Sequence, residues 1–155
     1  MSQPLLTPQA LWNYWEGHRR LTLRTLELFP NAELFDYSTG GMRPFAAMLA
    51  EILNVEESVM RGLHTGTWTW EPTRADVESK EALRSAFSEQ RRKTAEVYSA
   101  LSVETFERVE TDAWGMTSTN VERLFYVIDN EIHHRAQGYV YLRTLGAEPP
   151  MFYER

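Results

Sequence analysis

A chain of 155 residues is the length of one domain, and 43% apolar side chains are enough to bury a substantial core. Its formal net charge of -6, with 16 Lys and Arg scattered among 22 Asp and Glu, offers no basic stripe to displace counterions from a phosphate backbone, so no direct nucleic-acid partner is expected. The lack of cysteine excludes disulfides, thiol nucleophiles and thiolate metal sites, leaving histidine and carboxylate chemistry. No segment approaches the ~20 apolar residues of a membrane-spanning helix. The opening MSQPLLTPQA lacks a basic, then apolar, leader pattern, so no membrane partner and a cytoplasmic location are expected.

Thr7-Pro8 opens the first predicted helix, because Thr caps free N–H groups and Pro is tolerated where its missing donor would be orphaned anyway. The helix runs to Phe29, where Pro30-Asn31 stops it. At ~100° per residue, Leu11, Trp15, Thr22, Leu26 and Phe29 share a face. Tyr14, Leu21 and Leu28 flank it, and His18 falls inside the arc. Ser38-Thr39-Gly40-Gly41 reads as turn. A second helix starts near Pro44 and carries Phe45, Met48, Leu49, Ile52, Val55, Val59 and Leu63 inward. Glu51 lies at the border of that face and Glu56 nearer its middle, where a carboxylate needs a partner or a wet cavity.

The stretch from His64 to Pro72 is too rich in Thr, Gly and Pro for helix, and its Trp68 and Trp70 are candidates, with Trp114, for a pocket wall. His64 itself complements the dipole at the end of the second helix. The third helix runs from about Ser79 to Leu101 with Leu83, Phe87, Thr94, Val97, Tyr98 and Leu101 inward, and Gln90-Arg91-Arg92-Lys93 as a solvated face. Periodicity fails from Val103 to Thr119, which reads as a compact connector around Trp114-Gly115. The last helix begins near Ser118-Thr119-Asn120 and continues to Leu145, with Gly146 and Pro149-Pro150 as its stop. Four long helices without a credible strand set predict an all-α four-helix bundle in one domain over 1–155, with long connections between helices two and three and between three and four.

Asn130 and His134 are four residues apart on the apolar face of the last helix, near Val127, Gly138 and Tyr141. Amide and imidazole groups there need partners, so they mark a polar island between helices. The run Asn130-Glu-Ile-His-His-Arg-Ala-Gln137, followed by Tyr141-Leu-Arg-Thr-Leu-Gly146, resembles the last helix of the DinB/YfiT-like family of metalloproteins, whose usual pattern is H-x-x-x-H-R-G-Q and then Y-L-R-x-x-G. The segment from Phe45 to Glu56 is similar to that family's second helix. This family is unrelated to the DNA polymerase that shares the label.

The resemblance implies an up-down-down-up bundle in which three His hold a divalent metal. Those positions carry Glu51, Asn130 and His134 here, so one imidazole of three remains, and the motif's Gly is Ala136. A carboxylate is a competent ligand for Zn, Ni, Mn or Fe, whereas an amide oxygen is a weak one, so metal is expected weakly or not at all. The preferred alternative is a buried hydrogen-bonded cluster. His18 is read as a core histidine that could reach the island, and His133, ~100° from His134, as facing solvent or a subunit contact. Glu56 is read as a partner of Arg135 or Arg143 ahead of an orienter of metal ligands, and Tyr141 as packing.

Two functions follow from the resemblance. One is a metal-dependent enzyme, a hydrolase or a transferase using a low-molecular-weight thiol, in which the ion lowers the pKa of a bound water or thiol. The other is a non-catalytic stress-response or small-ligand-binding protein with a degenerate metal site. A homodimer accompanies either.

Overall fold

The computed structural model describes residues 5–74 and 77–155; the first four residues, on which the leader expectation partly rests, lie outside them. Helix α1 spans Pro8–Leu28, and the Thr7 hydroxyl accepts from the Ala10 N–H at 3.1 Å to cap it. The short α2 covers Asn31–Asp36, α3 Phe45–Thr65 and α4 Lys80–Ala100, the last capped by Ser79. The short α5 covers Val103–Glu107, strands β1 (Val109–Thr111) and β2 (Thr117–Thr119) form an antiparallel hairpin, and α6 spans Asn120–Thr144. A reciprocal Thr119/Glu122 capping box starts α6, and Gly146, at φ 80, lies just beyond its end.

The four long helices pack up-down-down-up. Trp15 meets Glu131 and His18 meets Arg135, so α1 and α6 run parallel. Phe45 lies against Gly138 and Glu51 against His134, so α3 runs opposite to α6. Tyr98 bonds the Pro8 carbonyl at one end and Arg84 pairs with Glu27 at the other, so α4 opposes α1. No helix among the described residues is long and apolar enough to cross a membrane.

The core has two apolar clusters. One gathers Leu26, Phe29, Phe45, Leu49, Phe87 and Tyr141, and the other Leu11, Trp15, Val59, Tyr98, Leu124 and Ile128. Between them sits a buried charged layer. Arg19 forks onto Glu131 through Nε and Nη2, each at 3.0 Å, and Nη2 also reaches Glu56. Thr94 donates to Glu56 at 2.6 Å and Trp15 donates to Glu131 at 3.3 Å, which ties all four long helices to one layer. Burial pushes the Glu131 carboxyl up, but the Arg19 charge and hydrogen bonds outweigh it and hold it below the usual carboxylate range.

Several expectations are corrected. Glu56 pairs with Arg19, and neither Arg135 nor Arg143 is its partner. The Gln90 to Lys93 run is only half surface: Gln90 is buried, and the Arg91 guanidinium lies over the Trp12 and Trp15 rings at 4.8 and 4.3 Å. The connector contains α5 and a hairpin, and α2 follows directly after Pro30. Each of these pieces is too short to show a helical or strand period, and the turn of the hairpin is held by a side chain, with Asp112 Oδ1 accepting the N–H groups of Trp114 and Met116.

Arg19→Met should leave two buried carboxylates without their counter-charge and cost about 3–5 kcal/mol of stability, read by urea unfolding. A loss under about 1 kcal/mol would show the layer to be dispensable.

Candidate functional site

The antiparallel register of α3 and α6 brings the three family positions together. His134 Nε2 lies 3.0 Å from Glu51 Oε1, and Asn130 Nδ2 donates to the same oxygen at 3.5 Å. The other Glu51 oxygen pairs with Arg43 Nη2 at 2.5 Å. His134 Nδ1 faces Gln137 Oε1 at 2.9 Å, and Gln137 in turn donates to the Met42 sulfur at 3.4 Å. The Tyr141 hydroxyl donates to the Arg43 carbonyl at 2.9 Å, so Tyr141 positions the strand of backbone from which Arg43 reaches Glu51. His134 is buried and Asn130 is 8% exposed, while the Glu51 side chain keeps 31% of its surface in solvent.

Burial alone would push the Glu51 carboxyl up. The hydrogen bonds and charges of His134 and Arg43 outweigh that and hold it below the usual carboxylate range. Glu51 is therefore an anion already matched by a cation. Asn130 Oδ1 is buried with no hydrogen-bond partner among the described residues.

One turn from Asn130 on α6, Tyr126 lines a cavity of about 260 Å³ with Val59, Trp114, Met116 and Arg123. Burial raises the Tyr126 hydroxyl, and the charges of Glu51 and Asp112 raise it further, as befits a phenol between the polar cluster and the hairpin. Trp114 stands on the cavity wall with the Trp70 ring 5.2 Å behind it. Trp68 does not line this cavity: its ring packs on Gly62 of α3 and under the Arg123 guanidinium at 4.5 Å.

The DinB family model matches residues 1–155. The chain belongs to the DinB family. Among solved structures, a DinB-like protein of Bacillus cereus is 18% identical with a TM-score of 0.78, over 94% of this chain and 97% of that one. A DinB-like protein of Bacillus subtilis is 20% identical with a TM-score of 0.74, over 94% and 98%. A mycothiol-dependent maleylpyruvate isomerase is 18% identical with a TM-score of 0.65, over 84% of this chain and 60% of the isomerase. At these identities the likeness is one of fold. No curated protein matches the chain.

The three DinB positions converge, yet their donor set does not fit a divalent metal. The Glu51 charge is matched by Arg43, Asn130 turns its NH₂ toward the carboxylate, and one imidazole remains. No three His, Asp or Glu among the described residues gather where an ion could sit. A dication would compete with Arg43 for the one carboxylate of the set.

The auxiliary positions divide. His133 is exposed, its ring edge-on to His134 at 5.0 Å. Glu56 lies in the charged layer and touches none of the DinB cluster. His18 is also apart from it, with Nδ1 3.0 Å from Arg135 Nη2 and Nε2 3.3 Å from Arg155. Sequence reasoning missed Arg43, Gln137 and Tyr126. Tyr126 and Gln137 stand four before Asn130 and three after His134, so helical spacing alone could have found them.

Burial first, then the charges of Arg135 and Arg155, lowers the His18 pKa from 6.5 to about 4. The unfolded chain therefore takes up the proton first, and this contribution to stability is lost as pH falls from about 6.5 through about 4. The difference in unfolding free energy between the native chain and His18→Gln should rise with pH across that window. A flat difference would mean that His18 is charged in the fold.

Proposed function

We propose that this DinB protein binds a small molecule in the α3–α6 cleft without a tightly held metal, with Glu51, His134, Asn130 and Arg43 as the polar end of the site. The observation that carries this reading is the Glu51 carboxylate shared between the His134 ring and the Arg43 guanidinium. Arg43, half-exposed, supplies a positive charge beside the carboxylate, the electrostatic part of what a dication would contribute, while offering no coordination position. His134, bonded at both nitrogens, can hold or pass on a proton with Glu51 as its counter-charge. A cytoplasmic homodimer remains part of the proposal and rests on the family resemblance.

A second reading is an enzyme that uses a low-molecular-weight thiol. Its support is the shared fold with the mycothiol-dependent isomerase. In that case the thiol proton would pass to the Glu51 carboxylate, on which His134 and Arg43 converge, since the chain has no cysteine and the described residues hold no fitting metal set. Reduced glutathione, as a representative thiol, should then bind the native chain and lose affinity in His134→Ala; no binding to the native chain would leave the first reading.

The metal-free reading is tested on protein purified without an affinity tag and melted with Zn, Ni, Mn or Fe(II). Specific ligands of the native state raise the melting temperature by mass action. Little or no rise is expected for the native chain and a larger one for Arg43→Met, in which Glu51 is freed; His134→Ala placed on Arg43→Met should remove it. One equivalent of metal retained by the native protein, and lost in His134→Ala, would overturn the proposal.

A further inference from the structure

The hairpin and the first turns of α6 bound a cavity of about 260 Å³ whose lining includes Val59 of α3. Two of its lining residues are aromatic. The Trp114 ring, 43% exposed, and the Tyr126 ring, 47% exposed, stand with centroids 6.3 Å apart and planes tilted by 59°. Rings set at such an angle make a corner, and aromatic faces carry negative charge density. Met116, also exposed, adds an apolar wall.

The charged residues of the same lining are Asp112, Glu122 and Arg123, which leaves one negative charge in excess. The positive member is buried. Arg123 pairs with Asp112 at 2.7 Å, and its guanidinium lies over the Trp68 ring at 4.5 Å. Glu122 stays exposed. Even against the charge of about +0.5 at the start of a helix, the balance is negative. The Tyr126 hydroxyl reports the same sign, since beyond its burial it is raised by the charges of Glu51 and Asp112.

Those carboxylates attract a cation but have little hydrogen bonding left to give it. Asp112 Oδ1 accepts the N–H groups of Trp114 and Met116, and Oδ2 accepts from Arg123. Glu122 Oε2 accepts the Thr119 N–H and hydroxyl. A primary ammonium brings three donors that need acceptors in exchange for water. A fully methylated ammonium brings none, keeps its charge and is drawn to ring faces. A cavity of roughly 150 Å³ holds benzene, so the volume here admits such a group with a short chain attached.

We propose that this cavity binds a small quaternary ammonium ion, with its methyl groups against Trp114 and Tyr126 and its charge balanced by Glu122. The inference goes beyond the reading of the Glu51 cluster and does not rest on it.

The test compares choline with 3,3-dimethylbutan-1-ol, which has the same shape with a carbon in place of the charged nitrogen. Each is titrated against the full chain, with binding followed by NMR. The native protein should prefer choline by roughly fivefold or more. Trp114→Ala should bind the two alike, and Glu122→Gln, which keeps a capping side chain on α6, should lower the preference. Shifts of the Trp114 indole N–H in the native protein, moved by choline and not by equal alcohol, give the same answer should Trp114→Ala fail to fold. Equal affinities in the native protein, or no shifts at this cavity with choline, would overturn the proposal. A preference for choline that survives in Trp114→Ala would reveal only general attraction to an acidic chain and would overturn it as well. Tighter binding of 3,3-dimethylbutanoate than of choline would overturn the sign of the charge.

Discussion

The fork of Arg19 onto Glu131 and Glu56 sets the register on which the candidate site depends. All three side chains are buried, and together they fix one point on α1, one on α3 and one on α6 at the same height in the bundle. An apolar contact tolerates sliding by part of a turn, whereas a two-toothed guanidinium–carboxylate contact does not. Glu131 follows Asn130 directly and Glu56 lies five residues beyond Glu51, so once the fork is closed the helices themselves bring Glu51 opposite Asn130 and His134. A buried ion pair of this kind is weak evidence for net stability; here it specifies alignment.

Given that alignment, the chemistry is decided by what Glu51 meets on its open side. Arg43 lies just before α3, where no helical period governs it, and it is held by the Tyr141 hydroxyl on its backbone carbonyl. Tyr141 therefore acts on the site through Arg43 while also packing edge-on against Tyr37 in the core. The pairing turns a carboxylate that could attract a cation into one half of a neutral unit. His134 then has two oxygen neighbours in place of a metal, which occupies both ring nitrogens and leaves neither free to coordinate an ion.

The long helices were legible because their signals are local and repeated. Thr7, Ser79 and Thr119 each cap the helix that their positions predict, and the apolar period places Leu11, Trp15, Phe45, Leu49 and Phe87 inside. The convergence of Glu51 with Asn130 and His134 was legible through the spacing of the last helix and its likeness to DinB sequences, since residues four apart must share a face. Arg43 was not, because its role arises from a contact between a loop and a helix with no period to announce it. Gln90 and Arg91 misled for a related reason: a charge run reads as surface unless the partner is known, and the partners are two Trp rings of α1 far away in sequence. The hairpin and α2 lay below the length at which a period can be counted.

Two glycines let aromatic rings approach α3 and α6 on either side of the Glu51 cluster. At Gly138 an added Cβ would come 2.4 Å from the Phe45 ring, so α6 lies close to the start of α3 and leaves no room there. At the far end Gly62 receives the Trp68 ring, whose other contact is the Arg123 guanidinium of α6, so an indole stands between the two helices. Along this pair of helices a Phe ring thus fills the space at Gly138, and an indole with a guanidinium over it fills the space at Gly62. Trp68 is used up between Gly62 and Arg123, and the aromatic wall facing the cavity falls to Trp114 and Tyr126.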